Sequence, residues 1–140
     1  MSQENVELGL RAIDAFNRRD FDAYLALMDD DVEVIPRSRA LEGESSYRHH
    51  DGVRRWWNNM HSVFPDWNIE VVEAHDFGDA AVADCRLRGH GASSAAPMDQ
   101  ATWLVSRWRR GKCVWWGSFE TKAEALEVAG LSEQDAHADS

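Results

Sequence analysis

Several things are scarce in this chain. It has two cysteines in 140 residues, Cys85 and Cys113, in unlike contexts and without CxxC or zinc-type spacing. That excludes a disulfide framework or a zinc ribbon, and reads as two reduced thiols in a core or interface of a cytoplasmic protein. No apolar run is long enough to span a bilayer, and the opening MSQENVELG lacks the basic-then-apolar layout of a signal peptide. Positive charge is in deficit: the net charge of -10 argues against nucleic acid or an anionic membrane as partner. Its basic residues gather late, at Arg86, Arg88, Arg107, Arg109, Arg110 and Lys112, in a pattern that reads as a solvated strand face. There is no internal repeat, P-loop, dinucleotide fingerprint or GxSxG elbow. His49 and His50 are adjacent, while His61 and His75 stand alone. No metal and no cofactor is expected.

What is present is periodicity. Val6, Leu10, Ile13 and Phe16 fall near one helical face, with Ser2 placed to cap and Glu4 in the first turn. Asp20 can cap a second helix, in which Phe21, Tyr24, Leu25 and Met28 follow at i, i+3, i+4 and i+7. Asp29–Asp31 is expected to end it and Val32–Pro36 to form a short strand. Arg37–His50 reads as a loop rich in Ser, Gly and charge. Val53, Trp56, Trp57, Met60 and Phe64 define a third helix from about residue 51, stopped by Pro65.

Beyond Pro65 the period changes to two. Strands are expected over Trp67–Phe77, Ala80–Arg88, Met98–Arg109 and Lys112–Phe119, with turns at Gly78-Asp79 and Arg110-Gly111. Thr121 with Glu124 is a capping box for a last helix that ends at Gly130. Helices followed by a long antiparallel meander imply one α+β domain over 1–132, with 133–140 as an acidic flexible tail. The helices should pack on one face of a strongly curved sheet and leave a concave ligand site.

The segments AFNRRDFDAYLALMDDDVEV, YRHHDGVRRWW, FPDWNIEV and RGKCVWWGSFETKAEALEVAGL, in that order, resemble the SnoaL-like polyketide cyclase family. That family belongs to the superfamily of nuclear transport factor 2 and ketosteroid isomerase. The resemblance implies a cone-shaped, cystatin-like fold. In function it implies a small hydrophobic ligand and cofactor-independent isomerase, cyclase or epoxide hydrolase chemistry, or a non-catalytic binding or structural dimer with a degenerate site.

Residue by residue, the carry-over is thin. The tyrosine of the isomerase oxyanion hole falls on Ala12, its base on Ile35 or Pro36, and its protonated acid on Leu104. The epoxide hydrolase Arg-x-Asp pair is reversed here as Asp84-Cys85-Arg86, and Ser118 stands where that enzyme has an aspartate.

Asp84, Arg86 and Arg88 share one face of a strand, and Ala83, Cys85 and Leu87 the other. Alternation alone leaves both orientations open. The resemblance implies that the charged face looks into the cone. Asp84, Arg86 and Glu120 are then the candidate catalytic set, with Arg as electrostatic stabiliser and a carboxylate as base, or else a structural ion-pair network. Phe16, Tyr24, Trp56, Trp57, Met60, Arg88, Thr102, Leu104, Ser106, Trp116 and Ser118 are the expected ligand-binding residues. The aromatics among them either shape a slot for a polycyclic or aromatic ligand or simply fill the cone. Trp103 and Trp115 alternate to the other face and are expected to form a homodimer surface.

Overall fold

The computed structural model of the protein describes residues 3–36, 46–90 and 97–130. Helices α1 (Gln3–Asn17) and α2 (Phe21–Ala26) lead into strand β1 (Met28–Ile35). The two-residue strand β2 (Tyr47–Arg48) precedes helix α3 (His49–Val63). Strands β3 (Asn68–Phe77), β4 (Ala80–His90), β5 (Pro97–Arg109) and β6 (Lys112–Phe119) follow, and helix α4 (Lys122–Val128) comes last.

Local chemistry places these elements. The Asp20 carboxylate accepts the Ala23 N–H at 3.1 Å and starts α2. The Thr121 hydroxyl accepts the Glu124 N–H at 3.2 Å, the expected cap of α4, and donates to the Glu124 carboxylate at 3.1 Å. Asn17 closes α1 by joining it to the sheet. Its amide donates to the Ile69 carbonyl at 2.9 Å, and its side-chain oxygen accepts the Ile69 N–H at 2.7 Å.

The strands form one six-stranded sheet in the order β2-β1-β6-β5-β4-β3. Pairing from β3 to β6 is the expected antiparallel meander, whereas β1 lies parallel to β6, with Met28 opposite Cys113 and Val34 opposite Trp116. Two expectations are corrected here. Asp29–Asp31 do not end a helix but lie within β1, because the backbone from Met28 onward already follows β6. Tyr47–Arg48, expected within a loop, pair with Glu33 and Val34 as an edge strand. Ser2, most of the Arg37–His50 loop and the acidic tail lie outside the described residues.

The sheet buries one face against α1 and α3. That interior joins Ala12, Ile13 and Phe16 of α1, Val53, Trp56 and Trp57 of α3, and Cys85, Leu87, Leu104 and Trp116 of the strands. A smaller cluster of Val82, Val105, Phe119 and Ala125 sits on the opposite face, where α4 covers one end of the sheet. The Arg107 guanidinium donates to the Val128 carbonyl at 2.7 Å and ties α4 down.

Candidate small-molecule cavity

Between α3 and the inner face of the sheet lies a cavity of about 150 Å³. Period-two alternation sets its floor. Leu87 on β4, then Met98, Gln100, Thr102 and Leu104 on β5, then Trp116 and Ser118 on β6 all project to the same side. Trp56, Asn59, Met60 and Val63 of α3, with Phe64 just beyond it, form the opposite wall. Phe16, Trp67 and Ile69 complete it. Its polar lining consists of Asn59, Gln100, Thr102 and Ser118, all uncharged.

Of the expected ligand-binding residues, Phe16, Trp56, Met60, Thr102, Leu104, Trp116 and Ser118 line this cavity. Tyr24 and Trp57 sit behind the wall. Tyr24 is packed against Trp56, Trp57 and Trp116 at centroid distances of 5.2–5.7 Å, and complete burial pushes its phenol well above its ordinary pKa. Ser106 lies beside a separate small void under α1, where its hydroxyl accepts the Trp108 indole N–H at 2.8 Å.

Asp84, Arg86 and Arg88 require a correction. Cys85 pairs with Thr102, and Leu87 lines the cavity, so the intervening charged residues project from the other face. There the Arg86 guanidinium binds Asp99 at 2.8 and 2.9 Å, and Arg88 lies 3.5 Å from Glu70. All four side chains are at least a third exposed, as desolvation demands of charges without a buried partner. Glu120 is exposed in the turn after β6. The three carboxylate and guanidinium groups expected to carry chemistry therefore do not meet at the cavity. Arg88 is not among its ligand contacts either.

Asn59, Val63, Phe64, Trp67, Ile69, Leu87, Met98 and Gln100 were not anticipated as lining. A signal existed for several: Ile69, Leu87, Met98 and Gln100 share parity with Leu104 once the register is known.

The end of the cavity near Trp67 is held by a polar clasp. Asp66 accepts the His90 backbone N–H at 2.7 Å and pairs with His90 Nδ1 at 2.9 Å, and these bonds hold its carboxyl below the usual value. Gly89, at φ +154°, lets β4 approach Trp67 closely, and Trp67 stacks on Phe64 at 3.7 Å. Behind Phe16 sits His61, 4.9 Å from that ring and 4.5 Å from Trp57. Its Nδ1 donates to the Trp57 carbonyl at 3.0 Å, which leaves Nε2 as a buried acceptor without a partner. Burial lowers its pKa, reinforced by nearby Arg19. Burial likewise raises the Cys85 and Cys113 thiols to about 12, so neither supplies a thiolate nucleophile.

Among the described residues no group of three or more His, Cys, Asp or Glu is placed to hold a metal ion, and no helix is long and apolar enough to cross a membrane.

A curled sheet wrapped on helices around an uncharged hollow is the nuclear-transport-factor-2 and ketosteroid-isomerase architecture. A family model described as a SnoaL-like domain matches residues 10–116, and the chain belongs to that family. An NTF2-like protein of unknown function from Burkholderia pseudomallei K96243 superposes with a TM-score of 0.78 at 20% identity, over 91% of this chain and 97% of that one. A protein of ketosteroid-isomerase-like fold from Catenulispora acidiphila DSM 44928, in complex with trimethylamine, does so at 0.72 and 14%, over 89% and 93%. TerC, co-crystallised with polyporic acid, does so at 0.74 and 18%, over 91% and 98%. Likeness at these identities establishes the fold. No curated protein matches the chain.

Proposed function

We propose that this protein binds a small, uncharged, hydrophobic molecule in the cavity between α3 and the sheet, and that it does so without proton-transfer chemistry from the cavity wall. The observation that carries this reading is the lining itself. Aromatic and aliphatic side chains surround four uncharged polar residues, while the charged residues of β4 lie on the opposite face. A wall of that kind rewards apolar surface and penalises an unpaired ionic ligand.

The test is thermal stabilisation by a panel of neutral hydrophobic compounds, with mass spectrometry of the recovered ligand. The expected result is a raised Tm with the ligand recovered unchanged. Arg86→Ala and Asp84→Ala should leave the shift intact, since neither side chain reaches the cavity. Turnover that depends on Arg86 would overturn the binding-only reading.

The outer sheet face supports a second copy of the chain as partner. Trp103 and Trp115 remain only half-buried there, Trp103 opposite Asp84 and Trp115 opposite Arg107, with the charges Arg86, Arg88, Glu70 and Asp99 further along the same face. Such a face complements itself across a two-fold axis. Trp103→Glu should shift a dimer to monomer in light scattering. A wild-type monomer at high concentration would remove this partner.

A further inference from the structure

The inward rows of the sheet run on past the cavity. On β5 Met98, Gln100, Thr102 and Leu104 line the cavity, and the next residue of that row, Ser106, lines the small void under α1. On β4 Leu87 lines the cavity, whereas Ala83 and Ala81, opposite Leu104 and Ser106, line the void. On β6 Ser118, opposite Leu104, lines the cavity, and Trp116, opposite Ser106, lines both. The two hollows therefore lie end to end along one concave face. Among the described residues they share Leu104 and Trp116 alone, 5% and 2% exposed.

The cavity is reached from its Met98 end. Asn59 and Val63 are exposed there, and Phe64, Met98 and Gln100 are partly so. A ligand entering past Val63 and running along β5 meets Leu104. Beyond it the void has a volume of about 20 Å³ and apolar walls at Gly9, Ile13, Ala74, Ala81 and Ala83. Its Ser106 hydroxyl already accepts the Trp108 indole N–H. A buried water needs several polar partners, so this space suits carbon atoms better than water. The cavity itself, at about 150 Å³, matches an engineered protein cavity of roughly 150 Å³ that takes up benzene.

We propose that Leu104 sets the length of the ligand. Its isobutyl group closes the inner end of the cavity and divides it from the void under Gly9, so that uncharged ligands little longer than one ring are selected over longer ones. This assignment rests on the cavity being a ligand site and adds the side chain that limits the size of its occupant.

The experiment titrates n-alkylbenzenes, from ethylbenzene to hexylbenzene, into the wild-type protein and Leu104→Ala, with affinity read by calorimetry and from tryptophan emission. While the chain is still being enclosed, each added methylene should tighten binding about fourfold. In the wild type this rise should stop short of hexylbenzene. In Leu104→Ala it should continue, and hexylbenzene should bind at least about tenfold more tightly than to the wild type. Ala83→Val added to Leu104→Ala refills the void and should restore the wild-type limit. Leu104→Val, a smaller cut in the same side chain, carries the test if Leu104→Ala does not fold, and should move the limit in the same direction. The same limit in the wild type and the Leu104 variants, or an unbroken rise to hexylbenzene in the wild type, overturns the role of Leu104 while the cavity remains a ligand site. A longer limit that Ala83→Val does not reverse overturns the division of the two hollows. Binding of no alkylbenzene to any of these proteins removes the reading of the cavity as a ligand site, and this assignment with it.

Discussion

The Asn17 side chain pairs with both backbone groups of Ile69, at 2.7 and 2.9 Å, as a neighbouring strand would. It gives the edge strand β3 a partner at its first turns and anchors the end of α1 beside the cavity residues Phe16 and Ile69. Asn17→Ala loses both bonds and should lower stability by about 2 kcal/mol in urea denaturation. Asn17→Asp should do at least as much damage at neutral pH, because a carboxylate cannot donate to the Ile69 carbonyl. It should recover partly when the carboxyl is protonated in acid.

Gly89 has no room for a side chain. A Cβ there would stand 2.7 Å from Trp67 Cδ1, 2.8 Å from Asp66 Oδ1 and 3.0 Å from Trp67 Cα, on a backbone at φ +154°. Gly89→Ala should therefore cost about 2 kcal/mol and displace Trp67. The check is a lowered Tm together with altered ligand affinity, because Trp67 is part of the cavity wall.

His61 makes stability depend on pH. Its pKa is lowered from 6.5 in the folded protein, first by burial. Below pH 6.5 the unfolded chain takes up this proton more readily than the folded one. Stability therefore rises with pH through that window and is lost on acidification until the folded group also titrates. His61→Phe keeps a ring against Phe16 and Trp57 but cannot titrate. It should lose less stability than the wild type between about pH 7 and pH 5, measured by chemical denaturation at each pH.

The helices and the four long strands were legible in the sequence because each carries a sustained apolar period and is bounded by turn or capping residues. The cap that Thr121 provides for Glu124 is an example. The parallel partnership of β1 with β6 was not, since strand order leaves no local trace. Neither was the two-residue β2, too short to show alternation.

The candidate site divided along the same line. Trp56, Met60, Leu104 and Trp116 were found because large apolar residues on the inward parity of helix and strand end up inside. Asp84 and Arg86 were misplaced because a period of two shows that they share a face but not which face is buried. The physical arbiter was desolvation. Ala81, Ala83, Cys85 and Leu87 went inside, and the ions stayed where water and Asp99 reach them.

Because Met28 lies opposite Cys113 and Val34 opposite Trp116, the middle of this sheet joins the first long strand to the last. A nascent chain emerging from a ribosome has helices and hairpins to form early, but β1 waits beside an empty slot until β6 has been made. The hollow itself, which depends on Trp116 and Ser118 of that final strand, can exist only after the last strand has docked.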